Sequence, residues 1–345
     1  LQTLIAHLNF AKGFRGGERQ TQLLIEELSK YGYKQKLILR KNAPLKKRCE
    51  NIKNLTIIEI EKPYFLHLNT IKNATILHAH ETKALQFAYF AHMITKIPYI
   101  VTRRVDNPIK NNFFNKILYT QAAMVVALSR AIESEIKKIA PHAKVTIIPS
   151  AYSDLPTDKE NISAIKKNFQ NKFIVGHVGA LDDKQKGQLL TIELAKKLQD
   201  NKDILFVFVG GGKDELKLKD AAKELTNVHF VGFVNNVNDY IASFDLFLFP
   251  SRNEGLGSTL LDVISQNIPI LASNVGGIPD IIQDEINGEL FDIKKKDSME
   301  KKLLDLYHNK DKREQYAKKA KEQLSRFSKE NMTKSYISLY KSIEL

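Results

Sequence analysis

The chain has a single cysteine, Cys49, in 345 residues, so it can form no disulfide within itself and cannot build a thiolate metal cluster. That usage points to a cytoplasmic setting. No run of eighteen apolar residues is present, which excludes a membrane-spanning helix. The opening LQTLIAHLNF is broken by His7 and Asn9 and lacks a charged leader, so it reads as a strand and not a signal peptide. Low-complexity tracts and sequence repeats are also missing. Acidic residues are scarce in one half only. Residues 1–150 carry 24 Lys and Arg against 10 Asp and Glu, whereas residues 151–345 carry 29 of each. The asymmetry predicts two domains with different partners, the first meeting something anionic. No basic stretch is interleaved with aromatics in the manner of a stacking platform, which disfavours nucleic acid. An acidic glycolipid or a membrane surface fits the charge better.

The length suits two domains. Seven strand candidates occupy the first half: TLIAHLNF, QKLILR, LTIIEIE, ATILHAH, PYIVTRR, MVVALS and KVTIIPS. Five occupy the second: KFIVGHVGA, ILFVFVGGG, VHFVGF, LFLFPS and IPILASN. Amphipathic stretches separate them, for example Glu18–Lys30, Arg130–Ile139 and Ser258–Gln266. Alternating strand and helix predicts parallel sheets covered on both faces, and two such runs predict two doubly wound α/β domains. The boundary is placed in PSAYSDLPTDKENIS, which has turn residues, two prolines and no apolar period. The expected domains are 1–152 and 153–330, with the last helix, about 331–345, returning to the first. After Asn287 the chain is expected to be helical to its end, from about Ser298 to Glu344.

In doubly wound domains ligands sit beyond the carboxyl ends of the strands. The residues there are rich in Gly, Ser, Lys, Arg and His, the chemistry of phosphate and hydroxyl binding. The stretch SRNEGLGSTLLD puts Glu254 before a glycine loop and Asp262 eight residues on. Gly255 and Gly257 let backbone N–H groups approach a ligand, and a helix start near Ser258 favours a phosphate. Glu254 and Asp262 can accept hydrogen bonds from neutral hydroxyls. Two acids flanking a phosphate cradle describe a nucleoside diphosphate sugar. The alternative is a solvated helix face, since Ser258, Asp262 and Gln266 are spaced i, i+4, i+8.

HAHE puts His78, His80 and Glu81 at a strand end, a set that invites a metal reading, because alternate strand residues share a face. No third ligand is evident in the sequence. Shaping a cleft, or plain packing of one histidine, are the competing readings. Arg103 and Arg104 in TRRVDN suit bidentate contact with phosphate or carboxylate, against an ion pair with Asp106.

The long stretch DLFLFPSRNEGLGSTLLDVISQNIPILASNVGGIPDIIQDEINGELF resembles the donor-binding half of retaining glycosyltransferases of family 4, which have the GT-B fold. RGGER at Arg15–Arg19 and the Lys186–Gly187 pair match that family as well, and the resemblance spans the chain. It implies two Rossmann-like domains facing across a cleft, the first binding an acceptor and the second a nucleotide-diphosphate sugar, with a UDP-sugar favoured. It implies that Glu254 holds the donor sugar and Asp262 the ribose. Gly255, Leu256 and Gly257 would offer backbone donors, and Phe233 and Val234 would border the base. Gly16, Gly17 and Gly179 would give the phosphate or sugar close approach. Two departures stand out. Asp262 replaces the family's second Glu, and Ala180 stands where an Arg is usual, leaving Lys184 and Lys186 as the cations for the diphosphate. Lys184, Lys186, Glu254 and Arg104 are the residues expected to carry the reaction. The resemblance implies no cofactor, no metal and front-face displacement with retention.

The expected acceptor is an anionic glycan or glycolipid of a bacterial envelope, reached by peripheral contact with the inner face of the inner membrane. Candidate membrane cations are Lys41, Lys46, Lys47, Arg48, Arg103 and Arg104. Competing readings are another GT-B enzyme, such as a nucleotide-sugar epimerase, or a non-catalytic carbohydrate or membrane-surface binder.

Overall fold

The computed structural model describes residues 3–170 and 172–344, so Leu1, Gln2, Asn171 and Leu345, which fall inside the ranges expected above, lie outside it. Two compact units divide the chain. The first runs to Ala151 and takes in the stretch from Arg326 onward; the second is Tyr152–Ser325.

The first unit is a sheet of seven parallel strands: β1 (Leu4–Asn9), β2 (Lys34–Arg40), β3 (Leu55–Ile60), β4 (Ile76–Ala79), β5 (Tyr99–Arg103), β6 (Met124–Ala127) and β7 (Val145–Ile147). Their order is β3-β2-β1-β4-β5-β6-β7. Central strands such as ILHA of β4 are buried along their whole length, which is why they read as continuous apolar runs and not alternating ones. The chain starts at β1, winds outward to β3, then returns to β4 on the other side of β1. That reversal makes β1/β4 the topological switch point.

The second unit repeats the plan with six parallel strands: β8 (Phe173–Val178), β9 (Ile204–Val209), β10 (Val228–Gly232), β11 (Leu246–Phe249), β12 (Ile270–Ser273) and β13 (Glu289–Phe291). Their order is β10-β9-β8-β11-β12-β13, so its switch point is β8/β11.

The helix Lys329–Glu344 belongs to the first unit, where Met332, Tyr336, Leu339 and Tyr340 join the core formed by Ile5, Leu24, Ile76 and Val126. Their i, i+4, i+7, i+8 spacing is one helical stripe. Cys49 is buried, and burial pushes its thiol up to about 12, leaving it inert.

Two elements escape the sequence reading. Ahead of the expected helices, which run from Lys296 to Glu344, Glu289–Phe291 pairs with β12 as a sixth strand. Three residues are too short to show a period. The stretch after Pro156 is also not all turn. A helix spans Lys159–Asn168, started by the Asp158 carboxylate, which accepts from the N–H groups of Glu160 (2.8 Å) and Asn161 (3.3 Å). Ile165 is the one residue of that helix counted as buried, so it has no apolar stripe to read.

Candidate functional site

The residues named from sequence in the second unit collect at the carboxyl ends of β8 and β11. After β8 the chain makes the loop Gly179–Asp182, a single helical turn Asp183–Lys186 and the left-handed Gly187 (φ +68°). A Cβ on Gly187 would lie 2.1 Å from the Pro250 carbonyl oxygen, so glycine there lets the two loops touch. The Arg252 N–H donates to the Gln185 carbonyl at 2.8 Å and ties the same loops again.

Lys186 and Glu254 meet at this junction. The ammonium pairs with Glu254 Oε1, and both side chains are largely buried, at 16 % and 9 % exposure. Ser251 Oγ donates to the same carboxylate oxygen at 3.0 Å, and the Lys186 Nζ sits 5.3 Å from the centre of the Phe249 ring. A buried ion pair is fixed in place by its cost. Removing either partner strands a charge out of water, at about 3–5 kcal/mol. Behind the pair, β12 locks the loop, since Ser273 Oγ donates to the Ser251 carbonyl at 2.5 Å and the Gly277 N–H to that of Glu254 at 2.9 Å.

Gly257 is left-handed (φ +84°) and precedes the helix Ser258–Ser265, whose first N–H groups have no side-chain cap. Leu256 is buried and Ser258 half-buried. Asp262 lies one turn into that helix, where its carboxylate accepts from the Ser153 N–H at 2.7 Å and the Ser153 hydroxyl at 3.4 Å. Lys184 is exposed, apart from the Lys186–Glu254 pair, as is Ala180. At the end of β10, Gly232 is left-handed (φ +83°); Phe233 is 82 % exposed and Val234 half-buried.

Sequence reasoning missed His177, which sits in an apolar strand. Its Nδ1–H donates to the Leu248 carbonyl (3.1 Å), leaving Nε2 to accept from Gln188 Nε2 (3.3 Å), which also donates to the Ala180 carbonyl (2.9 Å). Burial lowers the His177 pKa to about 4, so the ring is neutral and braces the loop from below.

In the first unit the expected residues gather at β1/β4. Gly16 and Gly17 open the helix Gly16–Lys30, and Arg104 packs against this start. A Cβ on Gly17 would lie 3.3 Å from Arg104 Cδ. The metal reading of HAHE is corrected in two ways. Glu81 is not with the histidines. It caps the helix Thr82–Thr95, accepting from Lys83 N–H (2.7 Å) and Ala84 N–H (2.8 Å). A third histidine, His7 on β1, does join them, and the ring nitrogens of all three lie within 4.8 Å of one another. β1 and β4 pair in register, His7 beside His78, which no reading of one strand reveals.

These rings are committed to hydrogen bonds. Arginine can only donate, so the contact between Arg104 Nη2 and His80 Nδ1 (3.3 Å) fixes the direction of a chain. His80 Nε2–H donates to His7 Nδ1 (3.0 Å), His7 Nε2–H to Gln35 Oε1 (3.0 Å), and Gln35 Nε2 to the Ile25 carbonyl (3.0 Å). His78 bridges the Tyr340 hydroxyl and Thr102 Oγ1, each at 2.8 Å. Burial lowers all three pKa values, His7 to about 4 and His78 and His80 well below the usual range. A metal would have to displace the His7–His80 bond beside a guanidinium.

Arg103 donates to the Tyr119 hydroxyl at 3.2 Å and to the Asn107 carbonyl.

Residues 158–323 match the family model described as glycosyl transferases group 1. The match falls within the second unit, which is similar to a group 1 glycosyl transferase domain. The chain is 35% identical over 180 residues to the O-antigen biosynthesis glycosyltransferase WbnH of Escherichia coli, a match covering 52% of this chain and 48% of that one. The chain thus spans about half the length of the curated relatives it matches first. Among solved structures, Anabaena Alr3699/HepE in complex with UDP and glucose superposes with a TM-score of 0.86 at 17% identity, over 99% of this chain and 100% of that one. The lipopolysaccharide outer core galactosyltransferase WaaB superposes at 0.76 with 16% identity, over 99% of each chain. At these identities the structures speak for the fold, which is the GT-B arrangement of two parallel-sheet units of seven and six strands.

Proposed function

We propose that the chain is a retaining, metal-independent glycosyltransferase of family 4 that moves a sugar from a UDP-sugar to an anionic glycan or glycolipid in bacterial envelope synthesis. The observation that carries this reading is the buried Lys186–Glu254 pair at the β8/β11 switch point, beside the uncapped start of the helix Ser258–Ser265. The domain match and the named activities of the relatives support it.

In this reading the diphosphate lies against the N–H groups at Gly255, Leu256, Gly257 and Ser258, with Lys186 beside it. As the anomeric bond breaks, negative charge grows on the diphosphate. Lys186 and the backbone N–H groups meet it without reorganisation, which is the largest source of acceleration available to such a site. Glu254, already held by Ser251, accepts hydrogen bonds from the donor sugar's hydroxyls and orients the anomeric carbon. Asp262 takes the ribose, exchanging its Ser153 contact for the hydroxyls or keeping it through a water. Phe233, exposed beyond β10, borders the base. Lys184 is a second, outer cation for the diphosphate. In the first unit Gly16, Gly17 and Arg104 meet the acceptor anion, and the neutral histidine chain holds Arg104 in place. The acceptor proton leaves with the help of the departing diphosphate, so no side-chain nucleophile is required. The work is done at the cytoplasmic face of the inner membrane.

Glu254→Gln tests the assignment. It should abolish most transfer while UDP affinity, read by calorimetry, stays within a few-fold of wild type, and chelator should change neither. Wild-type transfer in Glu254→Gln, or activity that collapses with chelator, would overturn the reading.

A further inference from the structure

One face of the first unit is apolar and left open. On the helix Thr82–Thr95, Phe90 (47 % exposed), Met93 (51 %) and Ile94 (68 %) form a stripe at i, i+3, i+4. The opposite side of that helix already buries Ala84, Leu85, Phe87, Ala88 and Ala91 in the core, so the stripe is surplus to folding. The next helix, Phe113–Thr120, begins with Phe113 (78 %) and Phe114 (38 %). The Phe90 and Phe114 rings are 6.1 Å apart, with Tyr89 at 5.6 Å from the first and 6.2 Å from the second, so the two helices make one continuous patch. Contiguous exposed apolar surface of this kind marks an interaction site.

Charge says what it meets. From Thr82 to Ile132 the sequence has seven Lys and Arg and one acid, Asp106. Lys96, at the end of the first helix, and Lys110 and Lys116, flanking the start of the second, are exposed. Of the six cations named from sequence, Lys47 is exposed and the other five are less available. Lys41 pairs with Glu61 at 2.6 Å, Lys46 with Glu59 at 2.5 Å, and Arg48 stacks on Phe14 at 4.1 Å. Arg103 and Arg104 are half-buried and hydrogen-bonded.

We infer that this face seats the first unit on an anionic lipid bilayer. Phe90, Met93, Ile94 and Phe113 enter the boundary between headgroups and acyl chains, a depth of about 5–10 Å, while Lys96, Lys110 and Lys116 lie against the headgroups. A second copy of the chain is the poorer occupant, because a symmetric contact would set these lysines against themselves. The inference rests on the proposed lipid-linked acceptor for its purpose only, and its test needs no sugar.

The test is flotation of the full chain with phosphatidylcholine vesicles, with and without phosphatidylglycerol as about a third of the lipid. The chain contains no tryptophan, so Phe113→Trp places a single indole on the patch. The expected results are binding to anionic vesicles that weakens with salt, a blue shift of the indole with quenching by brominated lipid, and a loss of about 10-fold or more in Ile94→Ser/Phe113→Ser. Lys110→Glu/Lys116→Glu should lose binding to anionic vesicles while thermal melting stays unchanged. A wild type that ignores both vesicles, a serine variant that floats as wild type does, an indole left in water, or a dimer dissolved by the serine variant would each overturn it. Transfer lost with vesicle binding intact would strike the proposed function alone; transfer to a soluble acceptor by a protein blind to vesicles would strike this inference alone.

Discussion

The two units are built on one plan and bury different things at the same place in it. At β1/β4 the first unit encloses His7, His78, His80, Gln35, Thr102 and the hydroxyls of Tyr336 and Tyr340 in linked hydrogen bonds, with Arg104 at the edge. At β8/β11 the second unit encloses rings. Phe247 stacks on Phe249 at 5.8 Å along β11, with His177 of β8 beside both and Phe208 of the neighbouring β9 at 5.7 Å from its ring. Its largely buried ion pair is Lys186–Glu254. A parallel sheet fixes where a ligand can sit but not the polarity of what supports it. The first unit holds its cation through a directional relay of neutral donors and acceptors. The second holds its cation by direct pairing with an acid, in packing that keeps water away.

The sharpest way to break this comparison is to remove each cation. Lys186→Ala should lower turnover by about 10²–10³, or roughly 3–4 kcal/mol, since in the proposed function it removes the charge that meets the leaving group. Arg104→Ala should cost less, because in the proposed function its guanidinium, held by His80 in the first unit, is not the cation that meets the leaving diphosphate. Steady-state kinetics with a UDP-sugar reads both. Equal losses would erase the division between the units.

Acid sharpens the comparison at a smaller scale. His7 titrates near 4 when folded and near 6.5 when unfolded. The unfolded chain therefore takes up a proton that the native ring refuses. The associated stability is complete above about pH 7 and is lost as pH falls from 6.5 to about 4, by roughly 3 kcal/mol for such a shift. His78 and His80 are shifted in the same direction; in the second unit burial lowers His177 to about 4 and lowers the more exposed His229 as well. Limited proteolysis between pH 7 and pH 5 should therefore open the first unit first. Earlier cleavage in the second would show that the histidine chain does not govern acid sensitivity.

Much of this was legible in the sequence. Seven strands in the first half and five of six in the second stand out because both sheet faces are covered and the strands become unbroken apolar runs. Glu254 and Lys186 were legible through the family resemblance, since by local pattern alone a solvated helix face and a mixed-charge turn compete with them. The partners were not. His7 reads as an interruption of a strand, and only the register of β1 with β4 brings it to His78 and His80. His177 and Ser153 act on residues 11 and 109 positions away, through contacts that no local pattern encodes. The helix Lys159–Asn168 hid for the opposite reason, since it has a cap but no apolar stripe.

The central claim is that the second unit alone carries the nucleotide. Hydrogen exchange of the full chain with and without UDP tests it most directly. The account predicts that UDP slows exchange at Gly179–Gly187, at Glu254–Asp262 and beyond β10 at Phe233 and Val234, with the histidine-bearing strands of the first unit unchanged. Protection confined to Gly16–Lys30 and β4, or none at saturating UDP, would contradict it.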